Sequence, residues 1–504
     1  MGGLEHLLLG FQIAITPFNL VMAVIGIVLG TIIGVLPGLG GANGVAILLP
    51  LTFTMPPTSA IILLTSIYWG ALFGGAITSI LFNIPGEPWS VATTLDGYPL
   101  ARQGKGAQAL TAAFTSSFIG ALFAILLVSF FAQPLAELAL KFGPPEFFAI
   151  QLLTFSSFIG LGGGSPVKSF ASIILGFILG AVGLDVVTGR LRLTFGSVEL
   201  MRGMSFIVAV IGLFGLGEIL LTVEEGLHFR GVTPRVRFRD MLATWRELTG
   251  YWRTFLRSAL IGFWMGFKPG GATPASFMSY GFARRFSRHP EKFGTGVLEG
   301  VVAPETAAHA AGVAAMLPMI TLGIPGSPTA AVMLGGLLIW GLQPGPMLFV
   351  EKPEFVWGLI ASMYTGNVIG VLTVLFFVPA FAAILRIPFA ALVPLIVFVC
   401  AIGAYTVSNS MVDVWYMLGF GVLGYVFKKL DYPLAPLVLA LVLGDLAENA
   451  LRQSLIMSQG SVLIFATRPI AAVITAAALV LFLLPVLTAV LRRMRHRSSV
   501  VTHA

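Results

Sequence analysis

Long apolar runs alternate with short polar stretches along this chain, and the runs at 110–131, 205–223, 355–385 and 469–491 are nearly free of charge. Each approaches or exceeds the roughly 20 helical residues that cross a ~30 Å hydrocarbon core. They are apolar on every side, as expected of helices that face lipid or a fully buried interior. The pattern predicts an all-α, polytopic membrane protein with about eleven crossings and two further helical hairpins.

Several runs are broken by proline and glycine, and the breaks come in pairs. Gly30-x-x-x-Gly34-x-x-Pro37-Gly38 matches Gly262-x-x-x-Gly266-x-x-Pro269-Gly270 at an offset of 232. Ile84-Pro85-Gly86-Glu87-Pro88 matches Ile324-Pro325-Gly326-Ser327-Pro328 at an offset of 240. Glycine matches are cheap in so glycine-rich a chain, but paired prolines in the same order are not. Proline removes a helical N–H and clashes with the preceding turn, and glycine tolerates open backbone. Helix 255–267 is therefore expected to stop at Lys268-Pro269-Gly270-Gly271 and resume as 274–286, with Arg253 and Arg257 before it and Arg284 and Arg285 after it. Both arms then end on one side of the membrane, which defines a re-entrant hairpin. Its counterpart is 21–36, tip 37–41, then 43–53. A second element is split in each half: 58–82 and 89–100 around the first Ile-Pro-Gly motif, 304–322 and 329–342 around the second.

Charge sets the orientation. Only 10% of residues are charged against 57% hydrophobic, too few to cover a soluble surface of 504 residues. The net charge of +8 resides in loops, where it orients the chain rather than recognises nucleic acid. Arg492, Arg493, Arg495 and Arg497 place the C-terminus in the cytoplasm, and alternation places the N-terminus outside, in the periplasm. On this count the two hairpins enter from opposite faces, so the repeats are inverted, a common transporter design. The division expected is 1–223 for the first repeat and its scaffold helices, 224–250 for a basic cytoplasmic linker, 251–491 for the second repeat and its scaffold helices, and 492–504 for a basic tail. One loop fits poorly: Arg190, Arg192 and Arg202 land outside, partly offset by Asp185 and Glu199. Residues 1–18 lack a basic n-region, so no cleavable leader is expected there. The single cysteine, Cys400, excludes an intrachain disulfide, and the six histidines show no metal-ligand spacing. The chain has no His-Glu-x-x-His run, no nucleophile elbow joined to a plausible intramembrane base and no Walker A motif, so no enzymatic activity and no cofactor are expected.

The stretches GVLPGLG at 34–40, GGAITSILFNIPGEP at 74–88, ATTLDGYP at 92–99, PGGATP at 269–274, EGVVAPETA at 299–307 and LGIPGSP at 322–328 resemble the large membrane subunit of the tripartite tricarboxylate transporters. The resemblance covers nearly the whole chain. It implies a bacterial inner-membrane protein that works with a small four-helix membrane subunit and a periplasmic substrate-binding protein. It also implies uptake of di- and tricarboxylates such as citrate, driven by a cation gradient, often Na⁺. A stand-alone proton-coupled permease for organic anions is the alternative.

Unwound backbone at membrane depth must be buried in protein or face a watery cavity. Half-helix N-termini suit anions, and freed carbonyls suit cations. The expected anion contacts are backbone N–H groups at Gly38, Gly40, Gly41, Gly270 and Gly271, with Asn43, Ser90, Thr93, Thr273, Ser276 and Thr329 adding side chains. Thr94 extends this set. Lys268 at the second tip either pairs with a substrate carboxylate or snorkels to water; Leu36 stands at its equivalent. The expected cation contacts are Asn83, Ile84, Pro85, Gly86 and Glu87 in the first break and Gly323, Ile324, Pro325, Gly326 and Ser327 in the second. Glu87 binds a cation, caps the following half-helix or carries a coupling proton. Glu305 and His309 share a helical face, either as a proton-linked pair or as a structural hydrogen bond. Asp96 is expected near the cytoplasmic exit.

Overall fold

A computed structural model describes residues 3–36, 39–161, 165–185, 188–225, 238–268, 270–384 and 389–484. The first half runs α1 (Gly3–Ala14), α2 (Pro17–Val35), α3 (Gly40–Leu48), α4 (Pro57–Phe82), α5 (Val91–Leu100), α6 (Gly106–Ala139), α7 (Pro144–Leu161), α8 (Pro166–Gly180), a two-stranded hairpin β1 (Gly183–Leu184) and β2 (Leu191–Arg192), then α9 (Phe206–Val210) and α10 (Gly217–Glu225). The second half continues with α11 (Phe238–Leu248), α12 (Trp252–Gly266), α13 (Ala272–Phe286), α14 (Glu299–Ala314), α15 (Met316–Leu322), α16 (Pro328–Ile339), α17 (Pro346–Glu351), α18 (Pro353–Ile384), α19 (Phe389–Ser408), α20 (Met411–Lys429) and α21 (Leu434–Met457). A last apolar helix, α22, covers Pro469–Leu484. Seven of the described helical segments are long and apolar enough to cross a membrane. The architecture is the all-α polytopic one expected.

Many helices start on proline in the first turn, where the missing N–H costs nothing: Pro17, Pro57, Pro166, Pro328 and Pro346. Two expected boundaries shift. The arm expected at 21–36 is the 19-residue α2, long enough to span most of a bilayer. The helix expected to begin at Pro304 begins at Glu299, because the 294–297 loop is tied down one turn earlier and Pro304 is accommodated inside α14. Part of the expected basic linker is also ordered. Met241 and Leu248 on one face of α11 are buried in a core with α6, and Trp245 Nε1 donates to Thr115 Oγ1 at 3.0 Å.

Contacts divide the chain into two compact units, Met1–Ala139 with Ile207–Val426, and Leu140–Phe206 with Phe427–Ala504. Each unit therefore takes segments from both sequence halves. In the first unit, α4 is buried from Ser59 to Leu81 and α14 from Gly300 to Ala314. These two central helices are repeat equivalents, and they meet at their own equivalent residues. A methyl on Gly312 would lie 3.1 Å from Leu72 Cδ1, and 72 plus the offset of 240 is 312. Later positions on α4 face earlier ones on α14: Tyr68 stands against Gly312, whereas the Phe73 ring lies 5.0 Å from His309. Antiparallel helices touching through equivalent residues are related by an approximate two-fold axis across them, as inverted repeats require.

The second unit explains the loop that fitted the charge rule poorly. The Arg192 fork binds Glu448 at 2.9 and 3.0 Å and Asp185 at 2.5 Å. Arg452 joins the same two carboxylates at 3.2 and 2.5 Å. The Glu448 carboxylate, then Asp185, hold the Arg192 guanidinium well above its ordinary range. The Arg192 charge in this loop is thus balanced by carboxylates that a count of loop charges does not include.

Candidate functional site

The repeat is reproduced in backbone contacts. A methyl on Gly30 or Gly34 would collide with the carbonyl oxygens of Ile67 and Ala71, and one on Gly262 or Gly266 with those of Ala307 and Ala311. Each second pair is the first pair displaced by 232 and 240 residues. A methyl on Gly86 would lie 2.7 Å from Gly34 O, and one on Gly326 would lie 2.5 Å from Gly266 O. The hairpin arm thus packs backbone to backbone against the broken helix of its own repeat. The breaks match in detail. Asn83 and Gly323 end α4 and α15 in the left-handed region, with φ of 59° and 72°. Ile84 N–H reaches back to Thr78 O at 3.3 Å and Ile324 N–H to Pro318 O at 3.1 Å. Glu87 and Ser327 are both extended and both precede a proline that opens the next helical segment.

Across the repeats, each tip approaches the other repeat's break. Gly41, in the first turn of α3, has the Tyr68 ring 3.2 Å and Thr329 Oγ1 3.4 Å from where its methyl would be. Ser276 Oγ, in the first turns of α13, donates to Trp89 O at 2.7 Å. Tip 1 therefore meets the start of α16 after break 2, and tip 2 meets the short 3-10 turn after break 1. All four motifs lie in the first unit.

The side chains at these matched places differ. At tip 1, Gly41 N–H donates to Glu87 Oε1. Both Glu87 oxygens sit over Gly40, whose methyl would lie 2.7 and 3.0 Å from them. The N-terminus of α3 is already occupied by a carboxylate of the protein. Ser90 closes the break behind it, its hydroxyl accepting Glu87 N–H at 3.1 Å and donating to Glu87 O at 2.8 Å. At tip 2, the matched residue Ser327 turns inward and caps α16 through Ala330 N–H at 3.1 Å. Gly270 N–H donates to Gly326 O at 3.0 Å, and Gly271 N–H to Lys268 O at 3.0 Å. The first turn of α13 also carries the N–H groups of Ala272 and Thr273. Lys268 is half-buried and forms no ion pair among the described residues.

Of the remaining expected contacts, Asn43 and Thr329 are buried, Thr273 and Ile324 are half-buried, Pro325 is buried, and Asn83 and Pro85 are exposed. Thr94 Oγ1 donates to Val91 O within α5. Thr93 belongs to a separate cluster, donating to Glu305 at 2.6 Å. Gly38, Pro37 and Pro269 lie outside the described residues. Asp96 is fully buried, its Oδ1 accepting from Gly294, Gly296 and Val297. Sequence reasoning missed Tyr68, which is fully buried, with its hydroxyl toward Ser327 and within electrostatic reach of Glu87. The signal was present: Tyr68 is the one ionisable side chain in all of α4.

These features define a polytopic α-helical membrane protein built from two related halves whose interrupted helices meet in one core. The chain belongs to the tripartite tricarboxylate transporter TctA family, whose model matches residues 20–439. It is 41% identical over 487 residues to an uncharacterized 52.8 kDa protein in the TAR-I ttuC' 3' region of Agrobacterium vitis, covering 96% of each chain. It is 39% identical over 227 residues to an uncharacterized protein in the TAR-II ttuC' 3' region of the same organism, covering 45% of this chain and 94% of that one. No solved structure matches it.

Proposed function

We propose that this chain is the substrate-translocating subunit of a secondary transporter that takes up small di- and tricarboxylates across the bacterial inner membrane by alternating access. A periplasmic binding protein delivers the anion, a small four-helix membrane subunit completes the complex, and a Na⁺ gradient drives uptake. One observation carries the reading: matched tips and breaks converge while bearing opposite charges, Glu87 at tip 1 and Lys268 at tip 2. A substrate carboxylate is repelled by Glu87 and attracted by Lys268 and the N-terminus of α13, so tip 2 is the anion pole. Thr273 lies in that same first turn. The cation pole is break 1, where Glu87, the Tyr68 hydroxyl and Thr329 offer oxygen to a hard cation. Lys268 forms no ion pair among the described residues, and an unpaired charge at membrane depth is expected to be functional.

The test is uptake of radiolabelled carboxylates into vesicles containing all three components, with and without a Na⁺ gradient. Glu87→Gln should weaken the response to Na⁺ more than tenfold and leave carboxylate KM nearly unchanged. Lys268→Gln should raise carboxylate KM more than tenfold at saturating Na⁺, the loss of one charge-assisted contact. Equal uptake with and without the gradient rejects Na⁺ coupling. If both variants change the same parameter, the separation into two poles is wrong.

A further inference from the structure

A second polar cluster lies beside the central helices. Glu305, on α14, is 2% exposed. Its Oε1 accepts from Thr93 Oγ1 at 2.6 Å and its Oε2 from Ser117 Oγ at 3.0 Å. His309, one turn on, places Nδ1 3.2 Å from the Glu305 carbonyl oxygen and 3.7 Å from Oε2. His309 is 2% exposed, and its Nε2 is buried without a partner. The three hydrogen-bonding helices are α5 from the first repeat, α6, and α14 from the second.

We infer that the Glu305–His309 pair is a proton-binding site whose occupancy is linked to the position of the half-helix after break 1. The inference rests on the transport reading but not on the identity of the ion bound at Glu87. Four observations support it. No lysine or arginine pairs with Glu305 among the described residues, so no fixed charge neutralises this carboxyl in the protein core. The cluster holds one carboxylate and one imidazole, and no group of three or more metal-binding His, Cys, Asp or Glu side chains exists among the described residues. The unpartnered His309 Nε2 is an open end through which a proton can be passed, since a neutral imidazole donates at one nitrogen and accepts at the other. Finally, Thr93 stands three residues after Ser90, the residue that closes break 1 around Glu87.

The linkage follows from that last contact. A buried carboxylate needs its donors. If the break opens and α5 withdraws, Oε1 loses the Thr93 hydroxyl, and a proton bound to the pair takes its place. By reciprocity, binding the proton favours the withdrawn position of α5 by the same factor. Other ionisable groups around α14 are committed elsewhere or distant. Asp96 on α5 and Tyr280 on α13 bind each other at 2.9 Å. Arg257 on α12 faces Glu299 at 4.0 Å. Tyr68 on α4 and Glu87 before the 3-10 turn belong to the break 1 cluster. Arg284 and Arg285 sit in the last turn of α13, and Glu137 of α6 is exposed near that helix's C-terminal end.

The test uses the full complex in vesicles loaded with a pH-sensitive dye, at fixed Na⁺ gradient, with carboxylate and binding protein added outside. The wild type should acidify the lumen as labelled substrate enters, and its uptake should fall as external pH rises. Glu305→Gln should transport with proton flux reduced at least tenfold and a flat pH profile. Thr93→Val keeps the carboxyl and should move the midpoint of that profile by about one pH unit or more. It guards against a misfolded Glu305→Gln, because a residue with only a structural role would change the amount of active protein and not the midpoint. Substrate entry without lumen acidification in the wild type, or unchanged proton flux in Glu305→Gln together with an unmoved midpoint in Thr93→Val, overturns the inference while leaving carboxylate transport intact. Absence of uptake by the wild type overturns the transport reading itself.

Discussion

Replacing Asp96 by alanine tests whether one buried carboxylate holds the second hairpin and the start of α14 against the helix after break 1. Asp96 Oδ1 accepts N–H groups from Gly294, Gly296 and Val297 at 2.9, 2.8 and 2.9 Å, and Oδ2 accepts the Tyr280 hydroxyl at 2.9 Å. In Asp96→Ala all four donors lose their acceptor. Gly294 is exposed and its N–H can turn to water, and the Tyr280 hydroxyl can rotate. Gly296 and Val297 are partly buried and fixed by the turn into α14. Two stranded donors at about 1–3 kcal/mol each give a loss of about 2–6 kcal/mol. Asp96→Asn keeps an acceptor at Oδ1 and loses only the charge assistance, about 1–2 kcal/mol. The single cysteine supplies the assay, because Cys400 is fully buried and a maleimide dye reaches it only on unfolding. Dye-monitored melting of detergent-purified protein should rank wild type above Asp96→Asn above Asp96→Ala. An alanine variant that melts within about one degree of wild type refutes the account, since a loss of about 2 kcal/mol or more shifts a chain of this size by roughly 2 °C or more.

Other sites extend the reasoning. Gly266→Leu places a side chain against the Ala311 carbonyl and should abolish folded protein in fluorescence-detected size exclusion, whereas Gly281→Leu, with open space around it, should express normally. Arg468→Met strands Glu146, which is 1% exposed and keeps only Gly143 N–H at 2.8 Å; since Arg468 is partly exposed, the expected cost is about 2–3 kcal/mol, read as a lower melting temperature. Asn367→Leu removes a bond to Phe118 O at 3.1 Å and should cost under about 1 kcal/mol, because hydrogen bonds between membrane helices are worth little net.

The parts of the fold that were legible in the sequence are those in which one residue type forces one backbone outcome. Pro85 and Pro325 cannot continue a helix, Asn83 and Gly323 accept a left-handed φ, and Gly34 and Gly266 allow carbonyl contact, so the breaks and their pairing were readable. Ordinary small and polar residues hid the rest. Tyr68 carries no motif, and its role depends on Gly41 and Thr329, which lie 27 residues before it and 261 after it in the sequence. The partners of Asp96 were hidden because its four donors come from 184 to 201 residues away. The Arg192 cluster was likewise invisible to a count of loop charges, since its main partner Glu448 is 256 residues distant.

Duplication explains why the repeats keep their backbone and lose their side-chain symmetry. Two copies of one hairpin and one broken helix, related by a two-fold axis, would give two identical poles at a shared site. Identical poles treat a substrate anion and a coupling cation alike, and an ion that fits one fits the other. Selectivity between opposite charges then requires a difference at matched positions, and the cheapest difference is a pair of side chains that leaves the shared packing alone. Under the transport function proposed above, Glu87 opposite Ser327 and Lys268 opposite Leu36 are such a pair of changes. Neither disturbs the glycine contacts that set the backbone, because Gly34, Gly86, Gly266 and Gly326 still approach their partners in the same way in both halves. Restoring symmetry by Glu87→Ser or Lys268→Leu should therefore leave the fold standing and remove the discrimination, and the reverse outcome would place the chemistry elsewhere.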